Sequence, residues 1–198
     1  MDAARQVFGR GLYHAEGSGC PAGTPKEAVG ADVRLLHLHW DHAGNLGAFG
    51  QATIHVQADE MAFCTRPAMQ HKAISKIYDA EGVQSIIAPL FDGGVNPIDG
   101  DAELFPGISV FKVPGHTPGS QVIRVSARRG DLVRASDAVH FWANLHLRSP
   151  FPILDSFTQT LQSFVRIVSL AGGALERIIP GHDPRVRRVF PARPMGTR

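Results

Sequence analysis

His37, His39, Asp41 and His42 fall within six consecutive residues, His37-Leu38-His39-Trp40-Asp41-His42. Imidazole and carboxylate donors at this density suit zinc and its borderline neighbours manganese, iron and cobalt. The cluster follows an apolar run, Val33-Arg34-Leu35-Leu36, that predicts a buried strand entering a loop. Residues two apart in a strand point to one face, so His37 and His39 can converge on one ion. Asp41 and His42 lie where the chain leaves the strand and can turn towards a second ion. The plainer reading is a polar loop that happens to be rich in histidine.

Three later positions weigh against that reading, because each ends an apolar run at a turn. His116 sits in Val113-Pro114-Gly115-His116-Thr117-Pro118-Gly119, where Gly and Pro stiffen the bend and permit close backbone approach. Asp137 follows Leu132-Val133-Arg134-Ala135-Ser136, and His182 follows Ile178-Ile179-Pro180-Gly181. Taken singly, Asp137 could cap a helix and either histidine could merely hydrogen-bond a loop. Together with the first cluster they make five histidines and two aspartates, all at predicted strand ends.

The framework around these side chains follows from length, composition and local pattern. At 198 residues, 43% hydrophobic and 19% charged, the chain has the length and composition of one folded domain over 1–198. A formal charge of +2 gives no argument for a nucleic-acid partner, and the arginines near the end (Arg185, Arg187, Arg188, Arg193, Arg198) read as a solvated helix and tail. No apolar stretch has the length to span a membrane, and the N-terminus has no apolar signal core. Cys20 and Cys64 make no disulfide framework and fit reduced thiols in a cytoplasm.

Residues 1–30 are atypical, with a short helix predicted from Asp2 to Leu12 and a capping box at Thr24-Pro25-Lys26-Glu27. Gly44 to Phe49 predicts the start of a helix, and Thr53 to Val56 a strand. Asp59 to Met69 and His71 to Asp79 read as helical, broken at Pro67. Ser85 to Pro89, Ile108 to Val113, Gln121 to Val125 and Leu132 to Ala135 read as short strands. Ser156 can cap a helix with apolar positions Phe157, Leu161, Phe164, Val165 and Val168, closed by Gly172-Gly173 and followed by a strand from Leu175 to Ile179.

In order and local sequence the chain resembles the metallo-β-lactamase superfamily of dinuclear metallohydrolases, and within it the N-acyl-homoserine lactone lactonase group. The resemblance rests on His37 to Asn45, Pro114 to Gly119, Ser136-Asp137-Ala138, Pro180-Gly181-His182-Asp183, and Phe141 to Asn144 through Pro150 to Ile153. It implies an α+β fold, an αββα sandwich of two mixed sheets packed face to face with helices outside. It also implies two divalent metal ions, zinc first, with manganese, iron or cobalt as substitutes. His37, His39 and His116 would hold the first ion, Asp41, His42 and His182 the second, and Asp137 would bridge them. The implied reaction is opening of a lactone ring by a hydroxide held between the ions, a quorum-quenching activity on a small-molecule lactone or ester. Asp41 would orient that hydroxide or pass its proton onward.

Lactonases of this kind place a tyrosine where this chain has His140, three residues after Asp137. His140 is therefore a candidate substrate contact of altered chemistry. Met61, Phe63, Met69, Phe141, Trp142, Leu145 and Phe151 could line a pocket for an acyl chain, although core packing accounts for many such residues. Trp40 is expected to pack beside the metals. His55 reads as structural or exposed, and His14, His71 and His146 have no motif around them.

One departure stands out. Family members usually begin with several strands before the first ligand motif, and here 36 residues precede His37, the first 32 of them without a convincing strand. The fold is thus expected to lack some N-terminal strands, exposing a sheet edge that favours low solubility or a homodimer. Two alternatives share the motifs: a glyoxalase-II-like thioesterase, and an inactive truncated relative acting as a binding module.

Overall fold

The computed structural model describes residues 32–49, 52–128 and 130–191. The atypical N-terminal part, with its expected helix and capping box, lies outside them. In the first sheet, β1 (Asp32–Arg34), β2 (Thr53–Gln57) and β3 (Val95–Ile98) run parallel in that order. Parallel neighbours need crossovers, and these carry α1 (Trp40–Ala43), α2 (Ala58–Cys64), α3 (Lys72–Ser75) and α4 (Ala80–Phe91). The second sheet orders β4 (Ala102–Phe105), β5 (Ile108–Lys112), β6 (Gln121–Val125), β7 (Leu132–Ser136) and β8 (Ile178–Pro180). Its pairings are antiparallel except β7 with β8. The parallel crossover carries α5 (Trp142–Leu147) and α6 (Phe157–Leu170), and α7 (Val186–Val189) follows β8.

Side-chain alternation along the strands builds the layers. On β2, Ile54 and Val56 join Leu46, Phe49 and Ile86 under the first group of helices. On β6, Val122 packs with Phe164 and Ile167 of α6, while its neighbour Ile123 packs with Leu36 and Ile98 from the first sheet's side. Helix, sheet, sheet and helix follow in order, the expected αββα sandwich. Truncating a fully buried Ile such as Ile167 to Ala in such a core costs about 2–5 kcal/mol.

Polar side chains also cross between the sheets. Gln57 Nε2 donates to Gln121 Oε1 at 2.9 Å, and Gln121 Nε2 donates to the carbonyls of Leu35 at 2.7 Å and His55 at 3.2 Å. Each group is buried, so the pairs satisfy donors that water cannot reach. His55 is structural, set between Asp32 (2.9 Å) and Asn96 (3.1 Å).

Several expectations need correction. Among the described residues the strands of the first sheet are all parallel, and the second sheet is mixed. Ser85 to Pro89 is helical, within α4: the Asp79 carboxylate accepts from Gly82 N–H at 3.1 Å, and Val83, Ile86 and Leu90 recur at helical spacing against the core. The cap and that period outweigh the β-branched composition. On α6 the buried stripe is Thr160, Ser163, Phe164 and Ile167, whereas Phe157 and Val165 point to solvent. Ser156 does cap this helix, and Gly172 and Gly173 end it with φ of 65° and 80°. The run from Leu175 opens as a 3-10 turn and becomes strand at Ile178. Among the described residues, no helix is long and apolar enough to cross a membrane.

Candidate metal centre

β1 ends at Arg34, so His37 and His39 lie on an extended segment beyond it rather than within the strand. The alternation survives nonetheless. Leu38 enters the first core cluster, and the two imidazoles leave on the opposite side. The His39 carbonyl then accepts from Ala43 N–H at 2.9 Å, starting the short α1 that turns Asp41 and His42 back towards the histidines. This turn points Trp40 outward, 53% exposed, and not beside the clustered donors as expected of it.

His116 arrives from the other sheet, after β5. Its Nε2 lies 3.1 Å from His37 Nε2 and 3.0 Å from His39 Nδ1. Its Nδ1–H donates to the Ile153 carbonyl at 2.8 Å, which leaves Nε2 as a bare lone pair in the neutral ring. Burial is the main reason that all three rings resist protonation: His37 is held well below its ordinary pKa, His116 is lowered, and His39 is lowered to about 2. Three neutral imidazoles facing one another have at most one ring hydrogen to share per contact. A tetrahedral zinc with Zn–N of about 2.0–2.1 Å sets its ligand nitrogens about 3.3 Å apart. The observed distances come within a few tenths of an ångström of that spacing, and the inward lone pair of His116 can donate to neither neighbour, so the three nitrogens suit a cation.

The second group is Asp41, His42, Asp137 and His182, whose donor atoms lie within 4.8 Å of one another. His182 Nε2 is 3.1 Å from Asp137 Oδ1, and His42 Nε2 is 3.5 Å from the same oxygen. Asp41 Oδ2 is 3.7 Å from His42 Nε2 and 3.8 Å from His182 Nε2. Asp137 Oδ2 reaches both groups, 3.3 Å from His182 Nε2, 3.6 Å from His116 Nε2 and 3.8 Å from His37 Nε2. Burial pushes the Asp137 carboxyl up, but hydrogen bonds from His182 and His42 outweigh it and hold the group well below the usual carboxylate range, so it is ionised. An ionised carboxylate among neutral imidazoles is the protonation state that cation binding requires. The donor set therefore fits divalent metal.

The backbone here is constrained. Ser136, just before Asp137, has φ of 45°, a conformation rare for a non-glycine residue and one that clusters at functional sites. A Cβ on Gly181 would stand 2.6 Å from Asp137 Oδ1, so β8 can approach Asp137 only with glycine there. A Cβ on Gly115 would meet Thr160 N at 2.4 Å, which fixes the start of α6 against the His116 turn.

His140 is buried, with Nε2 3.6 Å from Asp137 Oδ2 and its ring stacked on Phe151 at 4.2 Å. Burial lowers its pKa to about 4. Phe141 and Phe151 pair 5.8 Å apart beside it, both partly exposed. Other candidate pocket residues fall elsewhere. Leu145 and Met61 pack into the cores. The Trp142 indole N–H donates to the Ile178 carbonyl at 2.9 Å, a structural contact. Phe63 and Met69 are half-buried on the α2 side. His71 and His146 are exposed, and His14 lies outside the described residues.

Two further acidic residues lie close to the site. Glu60 joins the His37–His39 segment to the His116 turn by hydrogen bonds. Asp183 accepts from Trp142 N–H at 3.2 Å and from the Arg185 guanidinium, tying the start of α5 to the segment bearing His182. One signal for Glu60 was present: a charged residue on the apolar face of a helix, four positions before buried Cys64.

The chain belongs to the metallo-β-lactamase superfamily, whose family model matches residues 37–182. Among relatives, an N-acyl homoserine lactonase from Bacillus sp is 32% identical over 159 residues, 78% of this chain and 58% of the relative. The N-acyl homoserine lactonase AttM of Azorhizobium caulinodans is 31% identical over 178 residues, 85% of this chain and 65% of that protein. A solved N-acyl homoserine lactone hydrolase, with the product N-hexanoyl-L-homoserine at its catalytic metal center, matches with a TM-score of 0.64 at 28% identity. That match covers 80% of this chain and 59% of the solved one. The chain thus spans between half and two thirds of the length of these relatives.

Proposed function

We propose that this protein opens the lactone ring of N-acyl-homoserine lactones at a pair of divalent metal ions, zinc in the first place, in the cytoplasm. The observation that carries the reading is Asp137, whose carboxylate lies between the two donor groups, Oδ1 3.1 Å from His182 and 3.5 Å from His42 and Oδ2 3.6 Å from His116. Similarity to N-acyl homoserine lactonases supports the choice of substrate. His37, His39 and His116 would hold the first ion, Asp41, His42 and His182 the second, with Asp137 bridging. Bound there, the ions would supply Lewis acidity for the carbonyl and a hydroxide at neutral pH, by lowering the pKa of water from 15.7 to about 7.

The chain's own side chains do the rest. The Ile153 carbonyl fixes the His116 tautomer so that Nε2 points inward. Asp41, partly exposed on α1, can orient a water or take its proton at Oδ2. His140 Nε2 reaches the region of Asp137 and can contact the substrate carbonyl or the leaving hydroxyl. The adjoining Phe141 and Phe151 offer an apolar wall to an acyl chain.

The test is ring opening of N-hexanoyl-homoserine lactone by the zinc-loaded full chain, followed by pH-stat beside the Asp137→Ala variant. Proton release by the parent and background release by the variant are expected. Equal release from both would overturn the proposal. Turnover of a thioester without turnover of the lactone would replace it with the glyoxalase-II-like reading.

A further inference from the structure

Glu60 is fully buried, on the first turn of α2, and its carboxylate carries three hydrogen bonds. Leu38 N–H donates to Oε1 at 2.9 Å, while the Thr117 hydroxyl at 2.6 Å and Gly119 N–H at 3.0 Å both donate to Oε2. Leu38 lies between His37 and His39, and Thr117 follows His116. One oxygen therefore serves the segment from the first sheet, and the other serves the turn from the second. We propose that Glu60 is a positioning residue for the first metal ion, holding the two loops in the register at which His37, His39 and His116 converge. The inference rests on the metal reading above and adds a residue to it that no motif marks.

The geometry leaves little slack. A buried carboxylate needs donors on both oxygens, and these three supply them from the two loops. The Ser120 hydroxyl lies 2.7 Å from Thr117 Oγ1 and accepts from Thr117 N–H at 2.9 Å, bracing the same turn. A Cβ on Gly119 would stand 2.2 Å from Glu60 N, so glycine allows the turn to seat directly on α2. Bidirectional acceptance also explains why glutamate and not glutamine is required. Glutamine must aim its NH2 group either at Leu38 N–H or at Gly119 N–H, and donor against donor pushes one loop away.

The experiment titrates the full metal-free chain with cobalt(II) against a competing chelator, reading d–d absorption for each site. The site lost in His39→Ala defines the first. In Glu60→Gln the first-site affinity should fall about 10–100-fold, with the second site within about threefold of the parent. Thr117→Val removes one donor at nearly constant volume and serves if Glu60→Gln does not fold; its first-site affinity should fall about 3–10-fold, and Thr117→Ser should restore it. A purely architectural Glu60 would weaken both sites together, or neither, and either result overturns the proposal. A parent chain that binds no cobalt overturns the metal reading itself, a result distinct from the others.

Discussion

Nε2 of His182 lies 3.1 Å from Oδ1 of Asp137, across the parallel pairing of β7 and β8. The register of two neighbouring strands thereby brings a histidine 45 residues away onto the carboxylate, nearest Oδ1 but also 3.3 Å from Oδ2, the oxygen that His116 approaches at 3.6 Å. Asp137→Ala should lower bound metal from about two equivalents to one or fewer and reduce lactone turnover by at least about a hundredfold. Elemental analysis beside the rate checks this. Unchanged stoichiometry would remove Asp137 from its bridging role.

Gly181→Ala should act on the same contact without touching a donor. The added Cβ meets Asp137 Oδ1 at 2.6 Å and the Ser136 carbonyl carbon at 2.9 Å. Overpacking of this kind costs about 1–3 kcal/mol, measurable by urea unfolding of the metal-free chain. Metal affinity should fall in parallel, because Asp137 is what must move. A variant as stable as the parent would show that β8 can shift freely.

Acid should destabilise the metal-free fold earlier than carboxylate protonation alone would. Burial first, together with neighbouring imidazoles, lowers His39 to about 2 and His140 to about 4 from 6.5. Below pH 6.5 the unfolded chain takes up protons that these folded rings refuse. Stability is therefore greatest above 6.5 and declines as pH falls, His140 contributing down to about 4. Each histidine adds at most about 1.4 kcal/mol per pH unit. Urea unfolding at several pH values reads the slope, and His140→Phe should flatten it. Stability that is level from neutral pH to about 5 would contradict the burial argument.

His140 should separate chemistry from metal binding. Its ring is held by Phe151 and by His182, stacked at 5.3 Å, and it belongs to neither of the two groups assigned to the ions. His140→Ala should keep both metal equivalents and lose about 10–100-fold in kcat. Loss of metal instead would make His140 a ligand, consistent with its place beside His116 and Asp137.

Much of the site was legible because four donors crowd into one six-residue run, His116 and His182 follow strands within short Gly/Pro motifs where local sequence alone announces a turn, and Asp137 directly follows an apolar strand. The grouping of His37 and His39 followed from alternation, even though the strand itself stops at Arg34. Glu60 was not legible, since its partners are 22, 57 and 59 residues away and no local pattern links them. Trp40 was misplaced for a related reason: α1 rotates it outward, and one helical turn after a loop reverses a strand's facing. The fold's layers were likewise readable, whereas Ser85 to Pro89 was not. Two adjacent isoleucines look like a strand until the Asp79 cap and the spacing of Val83, Ile86 and Leu90 are weighed together.

Anomalous diffraction at the zinc edge, from crystals of the zinc-loaded full chain, tests the central claim most directly. The account predicts two peaks about 3.5–4 Å apart, one among His37, His39 and His116 and one among Asp41, His42 and His182, with Asp137 touching both. A single peak, or zinc bound only away from these seven side chains, would contradict it.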